Sequence, residues 1–186
     1  MKKNFLTTKQ MALIGVMTAV TCILGPLSIP LPFSPVPISF TVLAVYLSAY
    51  VLGPKLGTIS FLVYLLIGII GLPVFSGFTG GIGKLAGPTG GYLAGFILMA
   101  PIAGWAIWHF KAQTIPSFLG MILGTVVCYL FGTIWLARQN SLSFMEALAV
   151  GVLPYLIGDA AKMVAAWIIG TRLYHAANRF AHHATE

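Results

Sequence analysis

The chain has 186 residues, 59% of them hydrophobic and 7% charged, with a mean hydropathy of +0.97. A soluble domain carries roughly 25% charged residues, so this chain cannot cover a water-facing surface and reads as an integral membrane protein. The net charge of +7 is spread over the connecting segments instead of forming a patch, and no nucleic-acid partner is expected.

Six apolar segments, at about 10–29, 37–53, 57–75, 90–109, 115–137 and 148–172, approach the roughly 20 residues a helix needs to cross a bilayer. The expected fold is therefore an all-α integral membrane protein of six transmembrane helices, a single transmembrane domain over 1–186. Long apolar blocks in place of short alternating strands argue against a β-barrel. The first block is too long, and too poor in a small-residue cleavage site, for a removed signal peptide. Threading six helices puts Lys2, Lys3, Lys9, Lys55, Lys111, Arg172 and Arg179 on one side. Only Lys84 and Arg138 fall opposite. This excess marks the cytoplasmic face, so both termini are expected there.

Helix 1 carries Gly15-x-x-x-Ala19 with Ala12 on the same side. Small residues four apart let helix backbones approach closely. Gly91-x-x-x-Gly95 and Gly120-x-x-x-Gly124 repeat the pattern, and spacing alone leaves open whether each face packs internally or docks a partner. After helix 1 the segment 25–38, GPLSIPLPFSPVPI, has five prolines and no charge. Proline fixes φ and removes N–H donors, so an extended, stiff segment is expected. Its apolar Phe33, Val36 and Ile38 suggest that it folds back over something, although a plain connector would satisfy the same residues.

Between helices 3 and 4 lies GLPVFSGFTGGIGKLAGPTGGY, residues 71–92, in which seven glycines fall between Gly77 and Gly91. Glycine allows close approach of backbone to a ligand, and freed N–H groups form anion-binding nests. Leu85 follows Lys84, so the spacing of a phosphate loop is absent. The interleaved Phe75, Phe78, Leu85 and Tyr92 argue against a floppy linker and for a donor-rich rim.

The last helix contains PYLIGDAAKMVAAW, residues 154–167. Asp159 and Lys162, three apart, share a helix face, and charges inside a span are costly enough to be functional candidates. Asp159 is the sole acid within the predicted spans. Pro154 and Gly158 weaken the helix just before it. Metal-spaced clusters, a nucleophile–base arrangement and an ATP-binding motif are all missing, so neither an enzyme nor a cofactor is expected. A small, mostly apolar ligand with few hydrogen-bonding groups fits better.

Together, GPTGGYL (87–93), GLPVFSG followed by Gly80-Gly81, PLPFSPVP (30–37) and Gly158-Asp159-x-x-Lys162 resemble BioY, the biotin-specific substrate-binding S component of energy-coupling factor (ECF) vitamin transporters. The resemblance covers about residues 10–172. It implies a six-helix S-component fold that binds biotin with high affinity from the outer face of the cell membrane. It also implies a membrane coupling protein and two cytoplasmic ATPase subunits as partners, which accounts for the missing ATP motif. The ligand-binding residues expected on this basis are Asp159, Lys162, Tyr92, Gly90, Gly91, Thr89, Lys84, Gly80, Gly81, Ser76 and Phe33. Ala12, Gly15 and Ala19 are expected to dock the coupling protein. Thr41 stands where the resemblance leads to a glutamine, so no ligand contact from helix 2 is carried over. A stand-alone proton-coupled transporter with Asp159 as proton carrier is the alternative.

Overall fold

The computed structural model describes residues 6–182, with side chains through residue 177. Lys2 and Lys3 therefore lie outside the described residues, as do the side chains of Arg179 and of the His182–His183 pair. Helix α1 (Thr8–Leu24) leads into strands β1 (Ser28–Leu31) and β2 (Ser34–Ser39), then α2 (Thr41–Ile69) and a short α3 (Gly83–Ala86). Helices α4 (Gly90–His109), α5 (Thr114–Gln139), α6 (Phe144–Gly151) and α7 (Leu156–His182) complete the chain. Four helical stretches are long and apolar enough to cross a membrane, Thr41–Ile69, Gly90–His109, Thr114–Gln139 and Phe144–Ala177, and α1 is a shorter apolar helix.

Helix α1 opens at Thr7, whose hydroxyl accepts from the Gln10 amide while the Gln10 side chain accepts from the Thr7 amide. This reciprocal box satisfies two of the donors a helix start leaves free. The expected first segment, 10–29, ends early. Chain beyond Leu24 turns into an antiparallel hairpin with Ser28 opposite Ser39 and Ile29 opposite Ile38. The prolines keep the segment extended as expected, and alternate residues still pair.

The expected segments 37–53 and 57–75 are two helices that follow each other without a loop, taken together as α2, and they part at Gly53, which takes φ 76° and ψ −172°. Pro54 has no N–H to offer the carbonyl of Tyr50, four residues back. The Trp108 indole N–H serves in its place, donating to the carbonyls of Ala49 (3.1 Å) and Tyr50 (3.2 Å). The chain reverses there without a loop, since a Cβ on Gly57 would lie 3.4 Å from the Ser48 carbonyl oxygen. The second half stops at Ile69 instead of residue 75. Gly68 packs against the Phe75 ring, which brings the chain back across the helix end.

Helix α4 is the most buried of the long helices and lies between α2 and α5. Its seam with α5 is made by glycines. A Cβ on Gly91 would lie 2.2 Å from Cβ of Trp135, one on Gly95 2.8 Å from Cα of Cys128, and one on Gly120 2.3 Å from Cβ of Ala106. Helix α1 packs on α2 through Ile14, Met17, Leu47 and Leu52, and Thr18 donates to the Ser60 carbonyl (3.1 Å). Tyr46 of α2 donates to the Met121 carbonyl of α5 (3.0 Å) and pairs with the Thr125 hydroxyl. By contrast α5 and α7 touch only lightly. Large apolar side chains such as Val16, Leu66, Ile115, Leu123, Ile134 and Ile157 remain exposed around the outside, as lipid contact requires. This is a membrane protein.

Connections gather at two ends of the bundle. At one end the Gly77 amide donates to the Pro26 carbonyl (3.0 Å), and Gln139 donates to the Ala86 carbonyl (2.8 Å). At the other, Trp108 sits over the Gly53 reversal and meets the Tyr174 ring at 5.4 Å.

Candidate functional site

The expected continuous span 148–172 is interrupted. Pro154 falls at the start of a 3-10 turn, Leu153–Tyr155, between α6 and α7, where its missing N–H is not needed. Asp159 therefore sits in the first turn of α7, not in the middle of a helix, and the amide dipoles there favour a carboxylate. Its Oδ1 accepts from Lys162 Nζ at 2.8 Å, and its Oδ2 accepts from the Tyr129 hydroxyl of α5 at 2.6 Å. Asp159 is 4% exposed and Lys162 8%. The Lys162 ammonium also lies 6.0 Å from the centroid of the Phe40 ring.

Asp159 and Lys162 are among the residues that line a partly open cavity. Each carboxylate oxygen keeps a lone pair beyond the bond it has, and the ammonium keeps two further N–H groups. The pair can thus accept from one ligand group and donate to another while staying neutral overall.

The remaining walls are mostly apolar and aromatic. Helix α2 contributes Thr41 and Tyr64, the loop Phe75 and Ser76, α4 Thr89, Tyr92 and Phe96, and α5 Thr125, Cys128 and Tyr129. The hairpin closes one side through Val36 and Pro37. It is pinned there by Tyr155, whose hydroxyl donates to the Val36 carbonyl and pairs with the Ser34 hydroxyl (2.8 Å). The proline-rich segment does fold back over something. Tyr92 is fixed by its hydroxyl, which donates to the Gly151 carbonyl at 2.9 Å.

Of the residues expected to bind the ligand, the structure brings Asp159, Lys162, Tyr92, Thr89 and Ser76 to one cavity. Gly80, Gly81, Lys84, Gly90, Gly91 and Phe33 are not among its walls. Gly90 and Gly91 already belong to α4. There Gly90 clears the Leu85 carbonyl and Gly91 clears Trp135 and the Phe131 carbonyl. Gly80 is pressed against the carbonyls of Leu72 and Gly71, and Gly81 takes φ +91°. The glycine amides expected to form a rim are largely occupied within the loop, with Gly81 donating to Gly68 (2.7 Å) and Gly90 to Gly87 (3.0 Å). Phe33 is exposed at the hairpin turn. Lys84 is half-buried in α3, and that burial lowers its ammonium pKa. Thr41, set aside in the sequence, does line the cavity, and Tyr129 and Tyr155 were not anticipated at all. Their only sequence signal is a phenol in an apolar run, where a buried hydroxyl needs a partner.

Ala12, Gly15 and Ala19 are all exposed on α1, and nothing lies within 4 Å of a Cβ placed on Gly15. The other two small-residue motifs are buried in the α4–α5 seam.

The chain has relatives among known proteins. The sequence profile of the BioY family matches residues 1–179. The chain belongs to the BioY family. Relatives in the BioY family include the probable biotin transporter BioY of Pyrococcus horikoshii, 39% identical over 165 residues, which cover 89% of this chain and 96% of the relative. The biotin transporter BioY of Thermotoga maritima is 39% identical over 166 residues, 89% of this chain and 95% of the relative. Among solved structures, the S-component for biotin from an ECF-type ABC transporter superposes with a TM-score of 0.82 at 30% identity, covering 90% of this chain and 94% of that one. The fold is that of an ECF S component.

Proposed function

We propose that this BioY-family chain is the biotin-binding, substrate-specific subunit of an ECF-type vitamin transporter. The observation that carries the reading is the buried Asp159–Lys162 pair, one carboxylate and one ammonium 2.8 Å apart, on the wall of a largely apolar cavity. Biotin offers two ureido N–H donors, one strong carbonyl acceptor, an apolar ring and a carboxylate tail. The ring system lies against α7, where Asp159 accepts from a ureido N–H and Lys162 donates to the ureido oxygen. The tail runs toward the glycine-rich loop.

The chain threads a prokaryotic plasma membrane with both termini cytoplasmic and the hairpin end outward. This follows from the Lys and Arg asymmetry between the two ends. The exposed Ala12, Gly15 and Ala19 face receives the coupling membrane protein, and two ATPase subunits bound to that protein supply the energy. This chain performs no catalysis itself.

Cutting one member of a buried charged pair leaves its partner uncompensated, which costs several kcal/mol. In purified full-length protein, Asp159→Asn and Lys162→Ala are each expected to weaken biotin binding at least about tenfold, or about 1.4 kcal/mol, by titration calorimetry. Wild-type affinity in both variants refutes the site.

A further inference from the structure

Helices α5 and α7, which touch only lightly, leave a groove between them on the outside of the bundle. Its banks are large and apolar: Phe118, Ile122, Val126, Leu156, Met163 and Val164. Ile122, Val126, Leu156 and Val164 are each about half exposed, so the groove is continuous with the lipid-facing surface. The exposed Ala160 is its smallest wall.

Three of the groove's walls, Thr125, Tyr129 and Asp159, are also walls of the ligand cavity. Only these side chains part the cavity from the bilayer there. Among the described residues, the Tyr129–Asp159 bond (2.6 Å) is the single side-chain hydrogen bond joining α5 to α7. All three polar groups are engaged inside the protein. The Thr125 hydroxyl donates to the Met121 carbonyl (2.9 Å), Tyr129 donates to Asp159, and Asp159 also accepts from Lys162. The groove therefore offers an occupant hydrocarbon contact, and no polar group that lacks a partner. Water in it would meet the carboxylate from behind, and a charge pair is weaker in wet surroundings than in dry ones.

A partner helix packs in a membrane through small residues that let backbones approach, as Ala12, Gly15 and Ala19 offer on α1. The groove's banks carry long and branched side chains instead, which hold a backbone off and admit a flexible chain. We propose that an acyl chain of the bilayer lipid seats in the α5–α7 groove and forms the outer wall of the ligand site, covering the Tyr129–Asp159 bond. The seat stands apart from the ligand's identity, while its effect on binding rests on the biotin reading.

For the test, full-length protein is placed in phosphatidylcholine nanodiscs doped with a phosphatidylcholine that carries a diazirine in mid-chain. After irradiation the label is mapped by peptide mass spectrometry. It is expected to concentrate several-fold on Ile122, Val126, Ala160 and Val164 over Leu130 and Ile157, which adjoin groove residues in the chain and are no less exposed. Ala160→Phe fills the groove with protein. Groove label should fall to the level at Leu130, while biotin binding stays within about twofold, as for a surface substitution. Ala160→Asn makes the groove polar and should weaken biotin at least about fivefold, roughly the worth of one net hydrogen bond, by calorimetry in the same discs. Monodisperse protein in size exclusion marks each variant as folded, and Ala160→Ser gives the milder comparison should the asparagine variant fail. Even labelling of groove and control residues overturns the seat, as does unchanged groove label in Ala160→Phe. Equal biotin affinity in the phenylalanine and asparagine variants overturns the wall. A dimer that Ala160→Phe splits assigns the groove to a second copy and overturns the lipid. Wild-type protein that takes label in the groove and binds no biotin upholds the seat and sinks the biotin reading instead.

Discussion

Two faces of this molecule carry the same small-residue spacing and use it in opposite ways. In the α4–α5 seam, Gly91, Gly95, Gly120 and Gly124 each face neighbouring atoms at distances no side chain could share. On α1, Ala12, Gly15 and Ala19 face outward, and a Cβ on Gly15 meets nothing. The motif therefore states only that a backbone can be approached. What approaches it is settled by the opposing helix, which the seam has and this face of α1 lacks among the described residues.

Substitutions can break that contrast. Gly95→Leu is expected to have the largest effect, because its first side-chain carbon would sit 2.8 Å from Cys128 Cα and 3.0 Å from the Cys128 carbonyl oxygen. No monodisperse folded protein should survive size-exclusion chromatography, and a folded, ligand-binding product would show that the seam can open. Gly15→Leu should leave folding and biotin binding intact while lowering cellular biotin uptake at least about tenfold, a loss of about 1.4 kcal/mol of partner affinity. Unchanged uptake, with the coupling protein still co-purifying, would remove α1 as the docking face. Gly15→Ala is the mildest change. Isolated protein should keep its stability within about ±0.5 kcal/mol, as surface substitutions do, and a clear fall in thermal midpoint would mean that α1 is not free.

The features legible in the sequence are those set by near neighbours. Asp159 and Lys162 needed only helical spacing to be paired, and the proline-rich segment needed only fixed φ values to be extended. Pro154 announced a weak point, yet the outcome, a 3-10 turn that leaves Asp159 in a helix's first turn, depends on how α6 meets α7. Tyr129 was hidden because its partner lies 30 residues away, and Tyr155 because its hairpin contacts lie 119 and 121 residues away. Gly90 and Gly91 misled for a physical reason. A glycine that lets a ligand come close and one that lets Trp135 come close have the same composition and the same neighbours in the chain. The break between the second and third helices was legible at Gly53-Pro54, whereas its tightness, a reversal that consumes no loop, was not.

Tyr155 and Asp159 stand one helical turn apart, the first bonded to the hairpin and the second to Lys162 and Tyr129. The cover of the cavity and the charges inside it are thus mounted on one short rigid piece of chain, in series, like a catch and the bolt it releases. The hairpin and the carboxylate are thus held through two residues four apart in the chain.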